Sequence, residues 1–182
     1  MKYKIEPIKG DASFRKFYRL ILKQKSKIIV STQKEKYKNL IAYTTINKFL
    51  RSNKILAPKL YSYNFSKGFI LIQDFGNLTF YKQLIRKKNK LKVYKKLVDL
   101  LIKIQKIRPK IKIRNIDKGF YSFEKYSRKN LLKESNLFFD WYLTLFLSKK
   151  KAFYIKKKCN KILSKLYNSL NFPNSFFVHR DY

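Results

Sequence analysis

Asp181 is the residue whose neighbours best suit it for chemistry. The apolar run Phe176-Phe177-Val178 reads as a strand that delivers His179, Arg180 and Asp181 at its end. In phosphoryl transfer to an alcohol, a carboxylate accepts or orients the hydroxyl proton while the rest of the protein positions groups and neutralises phosphate charge. An Asp on a short loop after a buried strand meets that need. A strand-terminal Asp also caps turns through its own backbone hydrogen bonds, and a His in this setting more often holds the loop than acts as a base.

Two other stretches have the composition of ligand sites. Gly10-Asp11-Ala12-Ser13-Phe14-Arg15 falls between two alternating segments. A small-residue turn there lets backbone N–H groups approach a triphosphate, with Ser13 as hydroxyl donor and Arg15 as counter-charge; a plain hairpin turn has the same composition. Gln73-Asp74-Phe75-Gly76 follows the apolar run Phe69-Ile70-Leu71-Ile72. An extended connector at that point offers backbone groups to the edge of a planar base and apolar side chains to its faces, and it serves equally as a linker. No G-x-x-x-x-G-K-[ST] occurs, so a P-loop is not supported.

The elements that must position these stretches change in texture along the chain. Residues 3–8, 16–22, 27–31, 59–63 and 68–73 alternate or carry the apolar runs of strands, with turns at 10–13 and 64–67. A helix is expected from Tyr37 to Ser52, ended by Ala57-Pro58. After residue 76 the spacing turns helical, with a short helix over 79–84, a stripe of Tyr94, Leu97, Val98, Leu101 and Ile104, a long apolar and aromatic stretch over 131–147, and a stripe of Ile155, Cys159, Ile162, Leu163, Leu166 and Leu170, before a final strand expected from Phe176 to His179. The expected class is α+β, with a strand-rich part over 1–76 and a helical part over 77–182.

The chain has 182 residues, 45% of them apolar, enough to bury a core. Its formal charge is +35, from 45 Lys and Arg against 10 Asp and Glu. A polyanion partner such as nucleic acid is one reading of that excess. However, 37 of the 45 basic residues are Lys, spread along the whole chain, whereas Arg is what bidentate phosphate and base contacts favour. The accompanying wealth of Asn, Ile, Tyr and Phe fits a codon bias toward A and T. A basic nucleic-acid-binding module therefore stands as the alternative function, and a basic helix over 154–170 lying on anionic lipid as a third. The single Cys159 excludes an internal disulfide and a Cys-rich zinc site. With no signal-like start and no run long enough to span a bilayer, a cytoplasmic protein is expected.

Taken in order, four blocks resemble the aminoglycoside phosphotransferase and choline kinase branch of the protein-kinase-like fold, and within it the bacterial kinases that phosphorylate N-acetylmuramate or N-acetylglucosamine at the anomeric hydroxyl. The blocks are Gly10 to Leu20, Phe69 to Gly76, Leu131 to Glu134 with Leu137 to Tyr142, and Phe177 to Tyr182. The resemblance implies a two-lobe fold with a complete strand-rich N-lobe over 1–76 and a helical C-lobe over 77–182 cut short at the catalytic loop. It implies a phosphotransferase using ATP and magnesium on a small acceptor of the amino-sugar class, with no specific nucleic-acid partner. Asp181 would be the catalytic aspartate. Gly10, Asp11, Ser13, Phe14 and Arg15 would cover the ATP phosphates, Gln73, Asp74 and Phe75 would border the adenine, and Glu134 would face the acceptor, a solvated helix-face Glu being the other reading.

Departures from that pattern are specific. The Asn and Asp that hold magnesium in such kinases would lie beyond Tyr182, so the chain is expected to be an amino-terminal fragment with negligible phosphotransfer of its own. Tyr126 is followed by Ser127 where an acid is common. Residues 28–32 contain no Lys and the next helix contains no acid, which leaves Arg15 or Lys34 as the cation nearest the phosphates.

Overall fold

The computed structural model describes residues 3–9, 14–33, 37–86, 88–108, 110, 112–123 and 126–171. The chain divides into two compact units, Met1–Phe123 and Glu124–Tyr182.

The first unit is built on a five-stranded antiparallel sheet. Its strands are β1 (Lys4–Ile8), β2 (Lys16–Leu22), β3 (Lys25–Ser31), β4 (Leu60–Asn64) and β5 (Phe69–Gln73), in the order β1-β2-β3-β5-β4. Helix α1 (Lys38–Ser52) links β3 to β4. These strands match the alternating segments of the sequence because one face of the sheet is buried and the other is wet. Ile28, Val30, Ile70 and Ile72 lie on the buried face and form the core with Leu40 of α1 and Phe65. Phe17, Ile41, Leu60 and Ile116 pack around them.

Gly68 shows why the β4–β5 turn takes a glycine. Its φ is +69°, its N–H donates to the Phe65 carbonyl at 3.0 Å, and its carbonyl accepts from the Thr32 N–H at 2.9 Å. A Cβ there would stand 2.6 Å from the Thr32 carbonyl oxygen.

Beyond β5 come α2 (Phe80–Arg86), α3 (Lys90–Lys106) and a small hairpin of β6 (Lys112–Arg114) with β7 (Phe120–Ser122). Asn89 caps α3, its Oδ1 accepting from the Lys92 N–H at 3.2 Å. The buried side of α3 is centred on Val93 and Ile104, with Leu97 and Leu100 half-buried between them, whereas Tyr94 and Val98 are exposed. Leu97, Leu101 and Ile104 of the expected stripe therefore lie on the covered side of the helix, whereas Tyr94 and Val98 fall outside it and Val93 and Leu100 complete the face. The β6–β7 hairpin was not expected. Its loop is closed by Asn115, whose N–H donates to the Gly119 carbonyl and whose Oδ1 accepts from the Gly119 N–H, both at 2.9 Å. Phe123 then packs at a tilt against Phe49, the ring centroids 4.9 Å apart, which ties the hairpin's end to α1.

The second unit is helical. The run expected over 131–147 is α4 (Arg128–Leu137), a π-helical turn (Phe138–Tyr142) and α5 (Leu143–Phe146), followed by α6 (Lys149–Ser169). Ser148 caps α6 through the Lys151 N–H. Phe139 and Ala152 are buried, and the Ser135 and Tyr167 hydroxyls meet at 2.5 Å between α4 and α6. Ile162 and Leu166, expected on an inward stripe, are exposed, as are Phe138, Trp141, Leu145, Phe146 and Phe153. Cys159 is half-buried. The strand expected from Phe176 to His179 falls outside the described residues.

Candidate functional site

The strand register brings the connector and the sheet together. Cross-strand partners project to one face, and the register aligns Glu6, Arg19, Ile28, Ile72 and Leu60 in a single row across the sheet. Two positions along, on the same face, come Ser26 on β3 and Asp74 just past β5. The buried face thus ends in polar groups at the point where the chain leaves the sheet.

Those groups converge on Asp74. Arg19 donates from Nε to Oδ2 at 2.6 Å and from Nη2 to Oδ1 at 3.2 Å. The Ser26 hydroxyl donates to Oδ2 at 2.8 Å, and the Gly76 N–H donates to Oδ1 at 2.7 Å. The Asp74 side chain is 4% exposed and that of Arg19 19%. Burial works against the charged carboxylate, but the hydrogen bonds from Arg19, Gly76 and Ser26 and the charge of Arg19 outweigh it, holding the group below the ordinary carboxylate range. The same carboxylate raises Arg19.

Gln73, on the other flank, is tied to the residue before β4. Its N–H donates to the Lys59 carbonyl at 2.8 Å and its Oε1 accepts from the Lys59 N–H at 3.2 Å. Phe75 follows with half of its surface exposed, and Gly76 turns the chain at φ +77°. Of the three residues expected to border a base, Asp74 has its carboxylate committed inward, so the surface left for a ligand is main chain and the Phe75 ring. Arg19 was assigned no role from sequence; the signal for it is non-local, an acid at a strand end matched by an arginine two strands away.

In the other nucleotide stretch, Gly10, Asp11 and Ser13 lie outside the described residues, as does Lys34. Phe14 and Arg15 are described. The Arg15 guanidinium sits 5.8 Å from the Phe14 ring centroid and 5.5 Å from that of Tyr43 on α1. Burial pushes the Tyr43 phenol up, and the charge of Arg15 opposes that. Arg15 is thus held by aromatic faces at the start of β2.

In the second unit, Glu134 of α4 accepts a hydrogen bond from the Tyr126 hydroxyl. Asp140 accepts from Lys156 Nζ at 2.6 and 2.7 Å. Asp181 and His179 lie outside the described residues. Among the described residues no group of three or more His, Cys, Asp or Glu could hold a metal ion, and no helix is long and apolar enough to cross a membrane.

No family model matches the chain. It is similar over nearly its whole length to curated kinases. One is an N-acetylmuramate/N-acetylglucosamine kinase of Neisseria meningitidis serogroup B, 21% identical over 173 residues, which are 95% of this chain and 49% of that protein. A protein of the same name from Pseudomonas aeruginosa is 24% identical over 176 residues, 97% of this chain and 48% of that protein. The chain therefore spans about half the length of the curated relatives it matches. It is a distant relative of sugar kinases.

Proposed function

We propose that this chain is the nucleotide-binding part, and a portion of the acceptor-binding part, of an ATP-dependent small-molecule kinase acting on an amino sugar. One observation carries the reading: the connector after β5 is clamped on both sides, by Lys59 through Gln73 and by Arg19 through Asp74, while the Phe75 ring is left open. A rigid, flat edge of that kind suits a purine. The names of the two relatives support the acceptor class.

In this reading the 1–76 portion is the nucleotide lobe of a protein-kinase-like fold, and 77–182 belongs to its helical lobe. Gly10, Asp11, Ser13, Phe14 and Arg15 cover the phosphates, with Arg15 as the cation. Gln73 and Phe75 border the base, and Glu134, oriented by Tyr126, faces the acceptor. Asp181 takes the proton of the acceptor hydroxyl as its oxygen bonds to the γ-phosphorus and the bond to the bridging oxygen breaks, releasing ADP. Magnesium, when bound, neutralises charge on the phosphates. Among the described residues no group of three or more His, Cys, Asp or Glu could hold it, and no step is derived through it.

The test uses a protein that includes this chain and extends to the length of its relatives. It is expected to phosphorylate N-acetylmuramate or N-acetylglucosamine in an ATP-dependent manner, with Asp181→Asn lowering kcat roughly 100-fold or more. Residues 1–182 alone are expected to transfer no phosphate. Absence of nucleotide-dependent phosphorylation of any amino sugar by the longer protein overturns the reading.

A further inference from the structure

The Arg19–Asp74 pair is an unusual way to leave a sheet. Strand ends need no buried carboxylate, yet here one accepts four hydrogen bonds within 3.2 Å from groups on β2, β3 and the connector itself. β2 and β5 are separated by β3, so the guanidinium spans about 10 Å of sheet to reach its partner. A shorter side chain could not make that span. A lysine could supply the charge but not the fork that engages both carboxylate oxygens.

Holding both oxygens fixes the Asp74 rotamer, and the Asp74 rotamer fixes the Gly76 N–H. The main chain from Gln73 to Gly76 is thereby pinned at each end, with the half-exposed Phe75 between the pins. The angle at which this segment leaves β5 depends on a residue that is 55 positions away in sequence.

We propose that Arg19 is a positioning residue for nucleotide recognition: through Asp74 it sets the geometry of the Gln73–Gly76 connector against the base. This rests on the kinase reading above. Arg19 touches no substrate; it acts through Asp74, so its loss alters the fit of ATP and leaves the acceptor and the chemical step alone.

The experiment measures kcat and the two KM values in the longer protein, together with amide exchange at Gly76, for wild type, Arg19→Met, Arg19→Lys and Glu6→Gln. Arg19→Met is expected to raise the KM for ATP roughly 5- to 50-fold, since small displacements of positioning groups have effects of that size. Its kcat and the KM for the sugar stay within about twofold. Arg19→Lys falls between the two, and exchange at Gly76 quickens in the order wild type, Lys, Met. Glu6→Gln removes a charge beside Arg19 without breaking the fork and leaves the KM for ATP within about twofold.

A folded Arg19→Met protein with the ATP KM of wild type overturns the inference while the kinase reading stands. So does a uniform fall in kcat with both KM values unchanged. Should Arg19→Met not fold, Arg19→Lys decides the matter, an unchanged KM for ATP again being fatal. If wild type itself binds no nucleotide, the kinase reading fails first and takes the inference with it.

Discussion

Asp74 is one of ten acids in a chain of 45 basic residues, and its carboxylate is almost wholly withdrawn from solvent. Its folded pKa is depressed below the ordinary value of 3.8. The stability it contributes is therefore fully present above that value and is lost as pH falls through the lower folded pKa. Replacing it by Asn removes the charge and leaves the Arg19 guanidinium partly buried without its counter-ion. At neutral pH, Asp74→Asn is expected to cost about 3 kcal/mol, the lower end for breaking a buried pair, because Arg19 keeps some access to water. Urea titrations followed by circular dichroism test this. The gap between wild type and variant narrows as pH is lowered below 3.8. A gap that stays constant down to strongly acid pH would show that the carboxylate is not held by charge. The Lys4–Glu6 pair, bridged at 2.8 Å on the exposed edge strand, also lowers its acid, but it is common to both proteins and drops out of the difference.

At the scale of elements, the two positive-φ glycines separate backbone strain from steric collision. Gly68 and Gly76 have similar φ values, +69° and +77°, but a Cβ at Gly68 meets the Thr32 carbonyl at 2.6 Å and one at Gly76 meets nothing within 4 Å. Gly76→Ala is expected to cost about 1 kcal/mol for the left-handed conformation alone. Gly68→Ala adds a collision with main chain that is itself hydrogen-bonded, and is expected to cost about 3 kcal/mol. Equal losses for the two variants in thermal unfolding would show that the β4–β5 turn yields to the added methyl group.

The same elements show what was legible in the sequence. β2 and β5 were read to within a residue because Phe17 and Arg19, or Ile70 and Ile72, alternate over a half-buried sheet. The face of α3 was read in part: Leu97, Leu101 and Ile104 lie on the covered side, but Tyr94 and Val98 are apolar enough to mimic core positions and yet are exposed. The β6–β7 hairpin was missed because three-residue strands are too short to show a period, although Asn115 and Gly119 carried a turn signal. The Arg19–Asp74 clamp could not be read from spacing at all, since it depends on β3 lying between β2 and β5. Gly10 to Ser13 of the other expected nucleotide stretch fall outside the described residues.

Across the whole molecule, electrostatics are lopsided. A net charge of +35 opposes compaction through self-repulsion, and the ion pairs among the described residues are few, with Lys156–Asp140 tying α6 to the π-helical turn. Helix α6 alone carries Lys149, Lys150, Lys151, Lys156, Lys157, Lys158, Lys161 and Lys165 and no acid. Repulsion between such exposed charges is long-ranged, about 30 Å at 0.01 M salt and about 8 Å at 0.15 M, whereas a buried pair such as Arg19–Asp74 is hardly screened. Added sodium chloride therefore relieves the unfavourable term and spares the favourable one. The melting temperature is expected to rise between those two salt concentrations, and to rise further when phosphate replaces chloride at equal ionic strength, because a multivalent anion can bridge neighbouring lysines. A melting temperature that falls with salt would mean that attractive surface pairs outweigh the lysine repulsion. In the Asp74→Asn protein the salt-induced rise is expected to be no smaller than in wild type, since the clamp is not what the salt acts on.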